Sequence, residues 1–112
     1  MPRPLIALLT AVALLVLAPA TALAKPCQPV KNPYPGTRYE GVDLSRIRAE
    51  GIGCTTARRV ARKGHYKALA AVPSSDGIVR VRWHGWRVRG DLKPSSDRYV
   101  ARKGDRRVRW RF

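Results

Sequence analysis

From Ile78 onward the chain alternates between apolar and charged positions with a period of two. In IVRVRW, Val79, Val81 and Trp83 fall on one side of an extended strand, and Arg80 and Arg82 on the other. In WRVRG, Trp86 and Val88 share the apolar side while Arg87 and Arg89 share the charged one. The phase slips at His84-Gly85. That slip fits either a tight turn with a Trp–Trp cross-strand pair or one long strand carrying a bulge. RYVARK and RRVRWRF repeat the period on either side of Gly104-Asp105 and predict a hairpin. Its inward set is Tyr99, Ala101, Val108, Trp110 and Phe112; Val100, Arg107, Arg109 and Arg111 point outward.

Upstream the period changes. CTTARRVARKGHYKALAAV places Cys54, Ala57, Val60, Ala61, Ala68 and Leu69 near one helical face, with Arg58, Arg59, Arg62, Lys63 and Lys67 turned away. Gly64 either follows the last turn of this helix or lies inside a longer one at a cost of about 1 kcal/mol. Before it, Leu44 to Ala49 reads as a short edge strand, broken off by Gly51 and Gly53. KPCQPVKNPYPG (Lys25–Gly36) reads as an irregular arm, because its prolines suit neither a helix interior nor a central strand. VARKG occurs at Val60–Gly64 and at Val100–Gly104, and PSSD at Pro73–Asp76 and Pro94–Asp97. The two spacings share no period, so no solenoid is present. The first VARKG belongs to the helix and the second to a strand; PSSD is turn chemistry used twice. Together these elements predict an α+β domain over residues 44–112, preceded by a Pro-rich arm at 25–43. One main helix is expected to pack on a small antiparallel sheet of three to four strands.

Residues 1–24 read as a cleaved signal peptide. Arg3 precedes an apolar run from Leu5 to Leu17, Pro19 ends the run, and Ala22-Leu23-Ala24 is a small-x-small cleavage signal. The run is short for a membrane span, and Lys25-Pro26 before Cys27 does not suit lipid attachment. The expected location is therefore secreted, extracellular or associated with the cell wall. An exported domain with two cysteines predicts a Cys27–Cys54 disulfide tying the arm to the body. The alternative is a reactive thiol at Cys54, near a helix start.

Charge narrows the function classes. Lysine and arginine number 23 against 7 acidic residues, a formal net charge of +16. Such an excess repels itself in a compact chain and attracts polyanions. The alternating strands gather Arg80, Arg82, Arg87, Arg89, Arg107, Arg109 and Arg111 on one sheet face, and arginine forks suit phosphate, sulfate and carboxylate. The leading expectation is non-catalytic binding of an anionic polymer: a cell-wall polymer, nucleic acid or acidic polysaccharide. A second reading is a protein-binding inhibitor or effector that presents Pro29–Gly36. A third is a small hydrolase using His65 or His84, the only histidines. The period assigns Trp83, Trp86 and Trp110 to the core rather than to stacking on bases or sugars. No metal-ligand spacing and no phosphate-binding glycine loop appear, so no metal or cofactor is expected.

IRAEGIGCTTARRVARKG, followed by HGWRVRG and YVARKGDRRVRWRF, resembles a group of small exported actinobacterial proteins. Their pattern is a strand, a glycine turn, a helix opening with C-x-x-A-R-x-V-A, a GW-x-C strand and a C-terminal x-C-x-x-G-x-R-V-R-F hairpin. The resemblance spans Arg46 to Phe112 and implies fold and export, with no activity attached. The group's two later cysteines correspond to Val88 and Ala101, which implies an apolar replacement of one cross-strand disulfide and leaves Cys27 as the partner of Cys54.

Overall fold

The computed structural model describes residues 23–112; the predicted signal peptide lies outside the described residues except for its last two. The elements are β1 (Lys25–Pro26), β2 (Ser45–Glu50), α1 (Cys54–Leu69), β3 (Ile78–Trp83), β4 (Trp86–Asp91), β5 (Arg98–Lys103) and β6 (Arg106–Arg111). The strands form one antiparallel sheet in the order β1-β2-β6-β5-β4-β3, and α1 packs across one face of it.

The expected sheet of three to four strands is therefore corrected to six. Two causes account for the difference. His84 and Gly85 both take positive φ (47° and 78°), the signature of a two-residue type I′ turn. Trp83 and Trp86 thus face each other across two strands, β3 and β4, rather than along one bulged strand. The arm also contributes a strand. Lys25 pairs with Ala49 and Pro26 with Arg48, so the strand at 45–50 is no longer an edge. Proline is tolerated there because β1 is itself the sheet's outer edge.

The helix runs through Gly64 rather than ending at it. A β-carbon on Gly64 would stand 3.0 Å from Val88 Cγ2 and 3.6 Å from Trp110 Cη2. Glycine is kept in mid-helix because the helix there presses directly on β4. No side chain caps the N-terminus, since Gly53 occupies the cap position. The first helical residue is held instead by the Cys27–Cys54 disulfide, with Cα atoms 5.4 Å apart. A cross-link closing a loop of this size contributes roughly 3–4 kcal/mol by chain-entropy reasoning.

The core lies between α1 and the inner sheet face. Leu44, Ile47, Val60, Val108 and Trp110 are almost fully buried there, and large apolar side chains of this kind contribute about 1.5–3 kcal/mol each on burial. The arm is packed against this body. Cys27 N–H donates to Ile47 O (2.8 Å), Val30 and Leu44 exchange two main-chain hydrogen bonds, and Tyr34 is buried.

Candidate anion-binding face

Direct cross-strand partners share a sheet face, so the register places each arginine. One row runs Arg82, Arg87, Arg102, Arg107, Glu50 across β3, β4, β5, β6 and β2. The next runs Arg80, Arg89, Val100, Arg109, Arg48. A third runs Ile78, Asp91, Arg98, Arg111, Ser45 across the same five strands. All lie opposite the helix, because Val79, Val88, Ala101, Val108 and Trp110 between them are buried under it. The seven arginines expected from the sequence occupy this one face. Three more join them: Arg48, Arg98 and Arg102. The alternation had the information to find these, since each neighbours buried residues: Ile47 and Ala49, Tyr99, and Ala101.

The electrostatics of this face are those of crowded like charges. β2 bulges between Ser45 and Arg48, where Arg46 takes φ 50°. Arg46, partial burial and Arg98 together hold the Arg111 guanidinium below its ordinary pKa, with Arg46 the largest cause. Glu50 offers relief at one corner. It accepts two hydrogen bonds from Arg107, Nε to Oε2 at 3.1 Å and Nη2 to Oε1 at 2.8 Å. That pair, with the charges of Arg107, Arg109 and Arg102, holds its carboxyl below the usual carboxylate range against the opposing effect of burial. Among the described residues no other arginine has a carboxylate partner. At the β3–β5 end the face dips into an open depression of about 600 Å³ around Val100.

The opposite surface is basic as well. Arg58, Arg59, Arg62, Lys63 and Lys67 are exposed on the outer side of α1, and the helix contains no acidic residue.

The two histidines are not brought together. His65 is fully buried under the arm; its Nδ1 lies 2.5 Å from the Tyr34 hydroxyl, and the Tyr99 and Phe112 rings pack on it. Burial holds its pKa down to about 4. His84 is exposed in the β3–β4 turn beside Trp83. Of the Pro29–Gly36 segment, Tyr34 turns inward, and Asn32 is fixed by its N–H to Asp43 (2.8 Å). Val88 and Ala101, both buried, are direct cross-strand partners. Among the described residues, no group of three or more histidine, cysteine or acidic side chains is placed to hold a metal, and no helix is long and apolar enough to cross a membrane.

No protein-family model matches the chain, and neither a curated protein nor a solved structure matches it.

Proposed function

We propose that this protein is a small exported module, without catalytic activity of its own, that binds an anionic polymer through the outer face of its sheet. The observation that carries the reading is the alignment of arginines in cross-strand rows, with one carboxylate pair at the margin. Like charges directly opposite each other destabilise a sheet. A sequence that repeats this arrangement on five strands accepts that cost, and a bound polyanion would remove it. Guanidinium forks bind phosphate, sulfate or carboxylate in two-pronged fashion. Candidate partners are a cell-wall polymer, extracellular nucleic acid or an acidic polysaccharide. Export is supported by the leader-like sequence at 1–24, and the Cys27–Cys54 disulfide is compatible with it.

The test is equilibrium binding of the oxidised protein to DNA, heparin and an anionic wall polymer across a salt series, beside an Arg80/Arg82/Arg109/Arg111→Gln variant. The expected result is affinity falling steeply with salt, by a slope of about 0.9 per phosphate contact for duplex DNA, and lost in the variant. Weak binding at physiological salt, or equal binding by the variant, would overturn the reading and turn attention to a protein partner on the Pro-rich arm.

A further inference from the structure

The arginine face is uneven, and its unevenness has a chemistry. Arg80, Arg82, Arg87, Arg89 and Arg102 line the depression, and Val100 stands where its row would otherwise carry a guanidinium. Arg80 lies opposite Arg89, and Arg82 opposite Arg87. At their Cα atoms these four form a rectangle of roughly 5 by 7 Å, set by strand spacing and the two-residue rise. Among the described residues none of the five lining arginines has a carboxylate partner, whereas Arg107, two strands from Arg87, has Glu50. The acids at its edge make no ion pair with these five: Asp91, one row beyond Arg89, pairs with Lys93, and Asp76 only feels the charge of Arg80.

The hydrogen-bonding inventory is equally one-sided. A guanidinium carries five N–H donors and no acceptor. Val100 adds neither, and no aromatic ring or carboxylate lines the depression. A neutral sugar needs acceptors for its hydroxyls, and a stacked base needs a flat ring; the depression supplies neither. What fits is a group that only accepts, carries several negative charges, and is compact enough to descend between the arginine stems onto a short side chain.

We infer that the depression over Val100 is a subsite for a cluster of adjacent phosphate or sulfate groups. This rests on the polyanion reading and adds a requirement to it: the bound chain carries its charge in clusters. Val100 has a defined part, leaving open the space that a sixth arginine would fill.

Calorimetry and thermal shift on the oxidised full chain test this with two compact probes, inorganic tripolyphosphate and sucrose octasulfate. Orthophosphate at equal ionic strength serves as control, and heparin as the long polyanion. The probe bound more tightly identifies phosphate or sulfate as the preferred source. At least one probe is expected to bind about tenfold or more above orthophosphate and to raise the melting temperature. Val100→Arg adds a positive charge, so charge alone predicts tighter binding; the subsite predicts a loss of about tenfold for the preferred probe. Val100→Ala, which keeps the space open, should stay within about threefold. As a measurement independent of Val100, Arg87→Gln/Arg102→Gln should lose about tenfold, and Arg59→Gln/Arg62→Gln, of equal charge but on the exposed side of α1, less than about threefold. Equal losses in the two double variants, or unweakened probe binding by a folded Val100→Arg protein, would overturn the subsite. If the wild type binds heparin in those cases, polymer binding stands without the subsite. If it binds neither heparin nor either probe, both readings fall.

Discussion

The hydroxyl of Tyr34 lies 2.5 Å from Nδ1 of His65, and both side chains are buried. The first belongs to the arm and the second to the C-terminal half of α1, so this hydrogen bond fastens the arm to the helix from within. The His65 ring sits against Tyr99 at 4.7 Å and Phe112 at 4.2 Å, and its Nε2 has no partner. A neutral imidazole suits these surroundings, whereas an imidazolium would be an uncompensated buried charge.

The pair makes the fold sensitive to acid. Burial holds His65 at about 4 when folded, against an ordinary histidine value of about 6.5 in the unfolded chain. Below about 6.5 the unfolded state takes up a proton that the folded state refuses. Stability is thus complete above about pH 6.5 and is lost as pH falls towards 4, by an amount on the order of 3 kcal/mol. Urea denaturation midpoints between pH 7.5 and 4 should fall accordingly. His65→Gln should start lower and flatten across that window. An unchanged slope in the variant would show that another group is responsible.

Gly90 is covered by its cross-strand partner. A β-carbon there would lie 2.4 Å from Tyr99 Cε1. The ring cannot retreat, because it is buried and stacked on Trp110 at 5.5 Å with planes 3° apart. Gly90→Ala should cost about 3 kcal/mol, lowering the melting temperature by roughly 10–20 °C in a domain of this size. Adding Tyr99→Leu to that variant should recover part of the loss in the same thermal melt.

At Gly64 two effects oppose each other. Alanine gains about 1 kcal/mol of helix propensity, yet its β-carbon would press on Val88 Cγ2 at 3.0 Å. Gly64→Ala should therefore be destabilising in the native background and stabilising once Val88→Ala has made room. A double-mutant cycle by chemical denaturation should return a coupling of about 1 kcal/mol or more. Additive effects would mean that the helix and β4 separate without strain.

These glycines and histidines show where the sequence was readable and where it was not. The strands from Ile78 and the arginine face they carry were legible because a period of two maps directly onto two faces. The helix was legible for the corresponding reason, and two cysteines in an export-like chain left one intramolecular pairing. Strand β1 was hidden, because Pro26 argues against a strand unless the strand is an edge, and edges are set by distant partners. His65 was hidden too. By residue type it is polar, and only the arrival of Tyr34 from the arm makes its burial tolerable. Gly64 reads alike as a helix end or as a close contact until the position of Val88 is known. Arg48, Arg98 and Arg102 obeyed the same alternation as the others and needed only its extension to β2 and β5.

Glu50 marks the border of the arginine face. Glu50→Gln removes a negative charge and leaves Arg107 at most one of its two hydrogen bonds. If the face binds polyanions, affinity should rise and the salt slope should steepen by about 1 to 2 contacts' worth. Stability should change by less than about 1 kcal/mol, as for other partly exposed pairs. Glu40→Gln, on the exposed arm, makes the same change in net charge and should leave the slope nearly unaltered. Equal responses would assign the effect to overall charge rather than to the face.

The position of β6 has a consequence for how the chain is assembled in time. β3, β4 and β5 each pair with the next strand along the chain, but β2, apart from the two-residue β1, finds its partner only in β6, where Glu50 meets Arg107. The latest of the six strands is thus the keystone between the two ends of the sheet. A chain emerging from its N-terminus, from a ribosome or through a narrow pore, carries β2 and its tethered arm with no sheet to join until β6 is out. Its slowest step should be that long-range closure, and the molecule is committed to staying open for as long as it is being threaded.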